Sequence, residues 1–315
     1  MAYEGGLMTL EELNEHTVNG TIDEVIAVAE ARQCKAISAI ADDICSRSGA
    51  RLVLLAGGSS AGKTTTATRL STHLRVNDRA ALHFSTDDYF VGDEKNPRDA
   101  DGNLDYEHVQ CVDIPDLVRD ISVLIDGGQV AERRFDFVNH VPKYTGRMIS
   151  LPAGGYVVLE GIHALNPLIS EGIDEACKYK IYIDPKPRIE IFGSITPKSS
   201  DARFLRRMVR DNQFRKMSPA DTVRLWPKVL EGERKWIEPF SAAVDANFDS
   251  YLVYELAVLK NYVGGLLELA RRELGEVREV MNMIRLLNPV MPVNATKVPG
   301  DSILRETIGG SLLDY

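Results

Sequence analysis

The sequence predicts an α/β fold in which helices cover both faces of a mostly parallel β-sheet. Short apolar runs, typical of buried strands, alternate along the chain with helical segments, which is the pattern of a parallel sheet. One run, at 51–58, ends in two glycines and leads directly into a helical stretch at 63–74. The composition agrees, because 44% of the 315 residues are apolar and 26% are charged, as in a protein with a large buried core.

The other elements follow in chain order. Apolar residues recur every three or four positions over 21–47, which predicts an amphipathic helix. Beyond it, further strands are predicted at 51–58, 80–85, 133–138, 156–159 and 179–183, with a last strand inside 248–260. Two helices are predicted after that strand, at about 257–274 and 277–287. The closing stretch, 302–315, receives no assignment.

We expect one main domain with helical additions at both ends. An N-terminal helical extension covers 1–48, the α/β domain covers 49–274, and a C-terminal helix with its tail covers 275–315. Inside the α/β domain, the segment at about 198–220 is rich in arginine although the chain as a whole is acidic. This cationic segment is predicted to be helical.

Charge and cysteine usage exclude several classes of protein. With a formal net charge of −9, the chain is a poor general nucleic-acid binder, because affinity for the phosphate backbone comes from Lys and Arg. Neither a basic, apolar leader nor a run of about 18 apolar residues is found, so we expect a cytoplasmic protein without a membrane partner. The cysteines lack the spacing of a zinc site and are predicted to be buried thiols: Cys34, Cys45, Cys111 and Cys177.

A phosphate-binding motif follows the first central strand. The residues GGSSAGKT satisfy GxxxxGK[ST] between a predicted strand and a predicted helix, so the sequence predicts a P-loop NTPase fold. Its glycines let backbone N–H groups face phosphate oxygens, and the positive end of the helix dipole strengthens the attraction. Lys63 is expected to reach the β- and γ-phosphates of ATP, and Thr64 to ligate Mg²⁺. The predicted nucleotide-binding residues are Gly57, Gly58, Ser59, Ser60, Ala61, Gly62, Lys63, Thr64 and Thr65.

Carboxylates follow two other predicted strands. Because ligands bind at the carboxyl ends of parallel strands, Glu160 is predicted to support Mg²⁺ together with Thr64 and Asp87. Asp87 is also the candidate base for an attacking hydroxyl. Adjacent aspartates on extended backbone point to opposite sides, so Asp88 either replaces Asp87 as the base or caps the next helix. The absence of an NKxD segment and of a second acid after Glu160 disfavours GTPases, helicases and transport ATPases.

The cationic segment supplies charges that suit phosphoryl transfer. Arg207 and Arg210 are three positions apart and share one helical face, where they can stabilise the charge of a transferring phosphoryl group. Leu205, Met208 and Val209 give the helix a narrow apolar side. The alternative is a solvated helix laced with salt bridges, a common outcome for runs of charge.

Taken in order, these motifs resemble the uridine kinase and phosphoribulokinase family of P-loop kinases. The resemblance extends from about 51 to about 260 and is carried by GGSSAGKTTTATRL, FSTDDYF, NLDYEH, RRFDFVNH, VVLEGIHAL and ARFLRRMVRD. It implies transfer of the γ-phosphoryl group of ATP to a hydroxyl, which in uridine kinases is the 5′-hydroxyl of uridine or cytidine. By the same resemblance, Asp87 is the base, Glu160 assists Mg²⁺, and Arg207 and Arg210 belong to a moving helical lid at about 198–220.

The resemblance also implies an acceptor site. Asp105 and His140 match the family's nucleoside-binding aspartate and histidine, while Phe135 replaces its usual tyrosine and Tyr106-Glu107 replaces its usual His-Pro. Substrate hydrogen bonds discriminate strongly, so a sugar phosphate, a polyol or a vitamin precursor stays an alternative acceptor to a pyrimidine ribonucleoside. The expected acceptor-site residues are Asp105, Tyr106, Phe135, His140 and Arg207. The chain also looks like the kinase portion of longer bacterial uridine-kinase-like proteins.

Two further points stay open on sequence alone. A nucleotide-dependent regulatory protein would use ATP to order the cationic segment for a partner without phosphorylating an acceptor. Asp87 disfavours that hypothesis, because a switch needs no acceptor base. Apolar faces on the N-terminal and C-terminal helices can pack on the core or join a second copy, which allows a homodimer.

Overall fold

A computed structural model describes residues 7–136, 139–191 and 196–313. The strands are β1 (Met8–Thr9), β2 (Leu52–Gly57), β3 (Ala81–Ser85), β4 (Gln129–Asp136), β5 (Val141–Ser150), β6 (Tyr156–Glu160), β7 (Lys178–Asp184), β8 (Ile189–Glu190) and β9 (Ala246–Asp249). The α-helices are α1 (Leu10–Val18), α2 (Ile22–Ser46), α3 (Lys63–Val76), α4 (Ile114–Ile125), α5 (Ser199–Phe214), α6 (Pro219–Trp236), α7 (Glu255–Leu274), α8 (Arg278–Leu287) and α9 (Arg305–Ile308). In these described ranges, no helix has both the length and the apolar character needed to cross a membrane.

The central sheet has five parallel strands in the order β3-β6-β2-β7-β9. The middle strand β2 is buried along its whole length, as its uninterrupted apolar sequence requires. Its side chains alternate between the two faces: Val53 and Leu55 pack with α2 and α3, whereas Leu52 and Leu54 pack with α4. The predicted fold, a parallel sheet with helices on both faces, is confirmed.

The register of the sheet decides which residues meet at its carboxyl edge. Leu55 of β2 and Ser85 of β3 both pair with Glu160, the last residue of β6. The loop after β2, the turn after β3 and the end of β6 therefore open at the same edge. That edge carries the candidate site.

One predicted strand does not belong to this sheet. The run at 133–138 was expected among the parallel strands, but β4 pairs with β5 in a separate antiparallel hairpin. Phe137 and Val138 lie outside the described residues. The prediction was wrong because β4 pairs with β5, a strand that is almost entirely exposed, so no buried apolar pattern marks β5 as the partner of β4.

Other elements differ from the prediction at specific places. The last strand, β9, ends at Asp249, so the apolar stretch after it is a buried turn that leads into α7 and is not part of the strand. The helices α1 and α6 were not predicted; α6 contains Pro227 and Gly232, residues that normally argue against a helix interior.

The cationic helix α5 is buried on several sides. Phe204, Leu205 and Met208 pack into a core shared by α1, α2, α6 and α7, so its apolar side is wider than predicted. Its arginines are also buried: Arg203, Arg206 and Arg207 are 6%, 1% and 8% exposed. The alternative of a solvated helix is therefore wrong. The motion of this helix as a lid stays a prediction.

A buried ion pair fixes α5 to α7. Arg206 donates to the Glu255 carboxylate at 3.2 Å and to the Ser250 carbonyl at 2.8 Å, and the side chains of the ion pair are 1% and 0% exposed. Removing one partner leaves a buried charge without compensation. We expect Glu255→Gln to lower the free energy of unfolding by about 3–5 kcal/mol in urea denaturation. Glu273→Gln, which breaks a half-exposed pair with Arg224, should cost less than about 1 kcal/mol; equal losses would contradict this prediction.

The C-terminal residues pack on their own chain. Val293 donates its backbone N–H to the Ala257 carbonyl at 2.9 Å, and the Lys260 ammonium donates to the Val290 carbonyl at 2.6 Å. Further on, Leu304 is fully buried in the same core as α5 and α7. The sequence left open whether this tail packs on the core, and the structure shows that it does. The boundaries 1–48, 49–274 and 275–315 themselves stay a prediction.

Candidate active site

The loop between β2 and α3 has the conformation of a phosphate cradle. A side chain at Gly57 would collide with the Ile183 carbonyl of the neighbouring strand, which explains the first glycine. Gly62 begins α3 with a φ of +88°, a left-handed conformation that glycine adopts without strain. Gly62 has no side chain that could cap this helix, so the first turn of α3 can face an anion.

Lys63 and Thr64 meet Glu160 at the carboxyl edge of the sheet. The Thr64 hydroxyl donates to a Glu160 carboxylate oxygen at 3.2 Å, and the Lys63 ammonium donates to the Gly58 carbonyl at 3.1 Å. Burial lowers the pKa of Lys63, while the charges of Glu160 and Asp87 raise it. The structure thus brings together the residues predicted for the phosphates and the metal.

Glu160 is destabilising when it is charged. Burial and the nearby Asp87 raise its pKa from 4.5 to about 7, against the attraction of Lys63. Because the folded-state pKa is the higher one, Glu160 disfavours folding increasingly as pH rises from 4.5 to about 7. We expect Glu160→Gln to stabilise the nucleotide-free protein at pH 8 by something on the order of 3 kcal/mol, and little at pH 5. Urea denaturation at both pH values tests this, with the exposed Glu24→Gln as control; a gain independent of pH would contradict it.

The donor set fits magnesium bound with phosphate. No cluster of three or more metal-binding side chains occurs in the part of the chain that the structure describes. Mg²⁺ commonly takes one or two protein oxygens, with phosphate and water completing its shell. Thr64 and Glu160, which are already hydrogen-bonded to each other, can supply that protein share.

The two adjacent aspartates after β3 face different partners. Asp88 pairs with Arg134 at 2.9 Å and accepts the backbone N–H of Phe135 at 3.3 Å, so it is bound to the hairpin and does not cap a helix. Asp87 lies close enough to Lys63 and Glu160 for its charge to raise the pKa of both groups. The prediction assumed extended backbone at the two aspartates, whereas Thr86–Tyr89 form a 3₁₀ turn. The role of Asp87 as the base stays a prediction.

Arg207 contacts the cradle directly. Its guanidinium donates to the Ser59 hydroxyl at 2.8 Å and to Asp211 at 3.1 Å. Arg210 also lies against Asp211, at 3.4 Å, with its Nε buried and without a partner among the described residues. Both predicted arginines thus lie beside the P-loop.

Sequence reasoning missed a carboxylate on α6. Glu233 accepts the backbone N–H of Ser59 at 3.0 Å and forms a two-bonded ion pair with Arg203, whose second bond measures 2.8 Å. A side chain at Gly58 would collide with both of these residues. Glu233 therefore holds the first turn of the cradle against α5 and α6. Its segment, WPKVLEGERKWIEPF, carries no pattern that reveals this role.

The predicted acceptor residues fall into separate groups. The Tyr106 hydroxyl donates to Asp93 at 2.6 Å and lies 3.3 Å from the His140 ring nitrogen. His140 in turn lies 3.2 Å from Asp93, a residue that the sequence analysis did not single out. Asp105 instead accepts the backbone N–H of Glu107 at 3.0 Å.

Two further residues belong to the predicted acceptor region. Phe135 packs edge-on against Phe90, with ring centroids 5.5 Å apart. Burial raises the pKa of Glu107 to about 7, and the charges of Arg207 and Lys63 oppose that rise. Glu107 therefore faces the cradle, at a position where the resemblance predicted proline. Its role was not foreseen.

Comparisons with known proteins agree with this geometry. The family model described as Phosphoribulokinase / Uridine kinase family matches residues 52–257. A uridine kinase of Deinococcus deserti is 29% identical over 170 residues, which are 54% of this chain and 72% of that protein. A uridine kinase of Lactobacillus johnsonii is 25% identical over 195 residues, which are 62% of this chain and 83% of that protein.

Solved structures are less similar. A protein described as a possible uridine kinase from Bacillus stearothermophilus is 21% identical, with a TM-score of 0.46 over 70% of this chain and 100% of that chain. D-glycerate 3-kinase from Cryptococcus neoformans is 12% identical, with a TM-score of 0.31 over 88% of this chain and 90% of that chain. The family model carries the assignment, because its match includes the P-loop, both strand-end carboxylates and α5. The chain belongs to the phosphoribulokinase and uridine kinase family.

Proposed function

We propose that this kinase-family protein uses ATP and Mg²⁺ to phosphorylate a hydroxyl of a small metabolite, the 5′-hydroxyl of a pyrimidine ribonucleoside. One observation supports the proposal above the others: Lys63, Thr64, Asp87 and Glu160 converge at one edge of the sheet. A phosphate cradle with a base beside it suits transfer to an acceptor, whereas a switch protein needs only the cradle.

The chain's own residues have distinct tasks in this mechanism. The N–H groups at the start of α3 and the Lys63 ammonium bind the β- and γ-phosphates. Thr64 and Glu160 would hold Mg²⁺, which would neutralise phosphate charge. Arg207 reaches the cradle through the Ser59 hydroxyl and is positioned to stabilise charge on the transferring group. Arg210 lies one helical turn further along.

Asp87 moves the proton. Its carboxylate accepts the proton of the acceptor hydroxyl as the oxygen of that hydroxyl bonds to the γ-phosphorus. The bond between this phosphorus and the β–γ bridging oxygen breaks, and its electron pair leaves with ADP. The products are a phosphate ester, ADP and one proton, so atoms and charge balance.

The nucleoside acceptor is supported by the names of the relatives and by the residues that match the family's acceptor site. Asp93, Tyr106 and His140 offer several hydrogen-bonding groups at a part-exposed surface. Phe135 lacks the hydroxyl of the family's usual tyrosine, which favours the alternative of a sugar phosphate, polyol or vitamin precursor. The regulatory alternative is less well supported, because it gives Asp87 no role.

A coupled assay of ADP release with Mg-ATP tests this proposal against a panel of nucleosides, sugar phosphates and polyols. We expect turnover with uridine or cytidine, and a rate lower by roughly 10²–10⁴-fold when Asp87→Asn replaces the wild-type protein. Turnover only with a non-nucleoside would overturn the acceptor and keep the catalytic roles. ATP binding without turnover on any acceptor would favour the regulatory alternative. A cytoplasmic location and a homodimer stay predictions.

A further inference from the structure

The C-terminal segment 302–309 lies directly on the P-loop. The Thr65 hydroxyl donates to the Glu306 carboxylate at 2.9 Å. Beside this bond, a Cβ atom on Gly62 would lie only 2.7 Å from a methyl group of Ile303. Thus the segment touches both the last glycine of the cradle and the first turn of α3. Sequence analysis left it without a role.

Glu306 takes part in the electrostatics of the cradle. Its charge raises the pKa of Lys63 and of Arg210, in each case against the larger lowering effect of burial. It also adds to the burial and the Asp87 charge that raise the pKa of Glu160. A carboxylate close enough to act on all three groups also contributes to the electrostatic potential at a bound phosphate.

Other contacts fix the segment in place. The Arg305 guanidinium donates to four backbone carbonyls, including those of Ala295 at 2.8 Å and Gly309 at 3.2 Å. Ser302 and Leu304 are 0% exposed. Releasing the segment would expose these buried residues and break the bonds of Arg305, so the carboxylate stays beside the cradle when a nucleotide enters.

We propose that Glu306 is a positioning residue of the nucleotide site, whose fixed negative charge lowers the affinity of the cradle for polyphosphate. The proposal rests on the proposed function, because it requires that the P-loop bind a nucleotide. The carboxylate acts by repulsion on the phosphates and through its hydrogen bond to Thr65. Its effect must therefore grow with the charge of the ligand and vanish for a neutral one.

Nucleotide binding without turnover tests this. Isothermal titration in EDTA would measure the dissociation constants of adenosine, AMP, ADP and ATP for the wild-type protein and Glu306→Gln. Glutamine keeps an acceptor for Thr65 and removes only the charge. We expect Glu306→Gln to bind ATP roughly three- to tenfold more tightly, AMP by a smaller factor, and adenosine unchanged. Asp301→Asn removes an exposed charge from the same region and should leave every constant unchanged.

Two other results of this titration would overturn the inference. If Glu306→Gln binds ATP equally or more weakly, the carboxylate does not oppose phosphate. If adenosine gains as much as ATP, the segment acts on the base or ribose and not on the phosphates. If the glutamine variant unfolds, Glu306→Ala takes its place, because it also removes the carboxylate. It must then bind ATP more tightly than the wild-type protein does. A wild-type protein that binds no nucleotide even when Mg²⁺ replaces EDTA would instead refute the proposed function, so the two failures are distinguishable.

Discussion

Asp87→Asn is expected to lower kcat by roughly 10²–10⁴-fold while ATP binding persists. Asparagine has nearly the shape of aspartate but cannot accept the hydroxyl proton at neutral pH. Asp87 is the carboxylate that faces Lys63 and Glu160, whereas its neighbour is bound to the hairpin. Steady-state kinetics with saturating acceptor, together with titration of ATP, separate the loss of chemistry from a loss of binding.

Asp88→Asn is the matched control for this prediction. It makes the same chemical change one residue away and weakens only the contacts to Arg134 and to the Phe135 backbone. We expect its kcat to fall less than about tenfold, because it leaves the base in place. If Asp88→Asn loses activity and Asp87→Asn keeps it, the two assignments must be exchanged.

The second large effect is expected for Lys63→Ala, which should lower turnover by about 10³-fold or more. Lys63 is the cation that reaches the phosphates, and it is surrounded by Glu160, Asp87 and Glu306. Without it, those carboxylates repel a nucleotide without compensation, so both kcat and the KM for ATP should worsen. The coupled ADP assay over a wide range of ATP concentration measures both constants.

Lys35→Ala is the matched control, because it removes a lysine side chain away from the phosphate cradle. Lys35 is exposed on α2, and its removal should leave kcat and KM within about twofold of wild type. Thermal melting of Lys63→Ala must show a folded protein before its kinetics are interpreted. A folded Lys63→Ala variant with near-normal activity would refute the phosphate cradle as the catalytic nucleotide site.

The sequence was most informative where one short segment contains the whole feature. The P-loop joins its strand and its helix within a few residues, so spacing alone predicted Gly62 at the start of α3. Glu160 and Asp87 were predicted for a related reason, because strand ends in a parallel sheet share one edge. The observed pairing of Ser85 with Glu160 is what brings these two carboxylates together.

Features that depend on distant pairing could not be predicted. Glu233 reaches Ser59 across 174 residues, and Glu306 reaches Thr65 across 241. No local pattern encodes such contacts, because they depend on how α5, α6 and the C-terminal segment pack over the loop. The place of β4 was misjudged for a similar reason: β5 determines where β4 lies, and its exposed sequence gives no sign of that.

The contact between Thr65 and Glu306 also sets an order of events during protein synthesis. At typical translation rates of roughly 5–20 residues per second, the ribosome makes Glu306 about 10–50 seconds after Thr65, which precedes it by 241 residues. After β6 and β7, the neighbours of β2, have been made, the nascent chain can hold a P-loop that still lacks Glu306. Nucleotide can therefore meet the loop before the segment that lies on it has been translated.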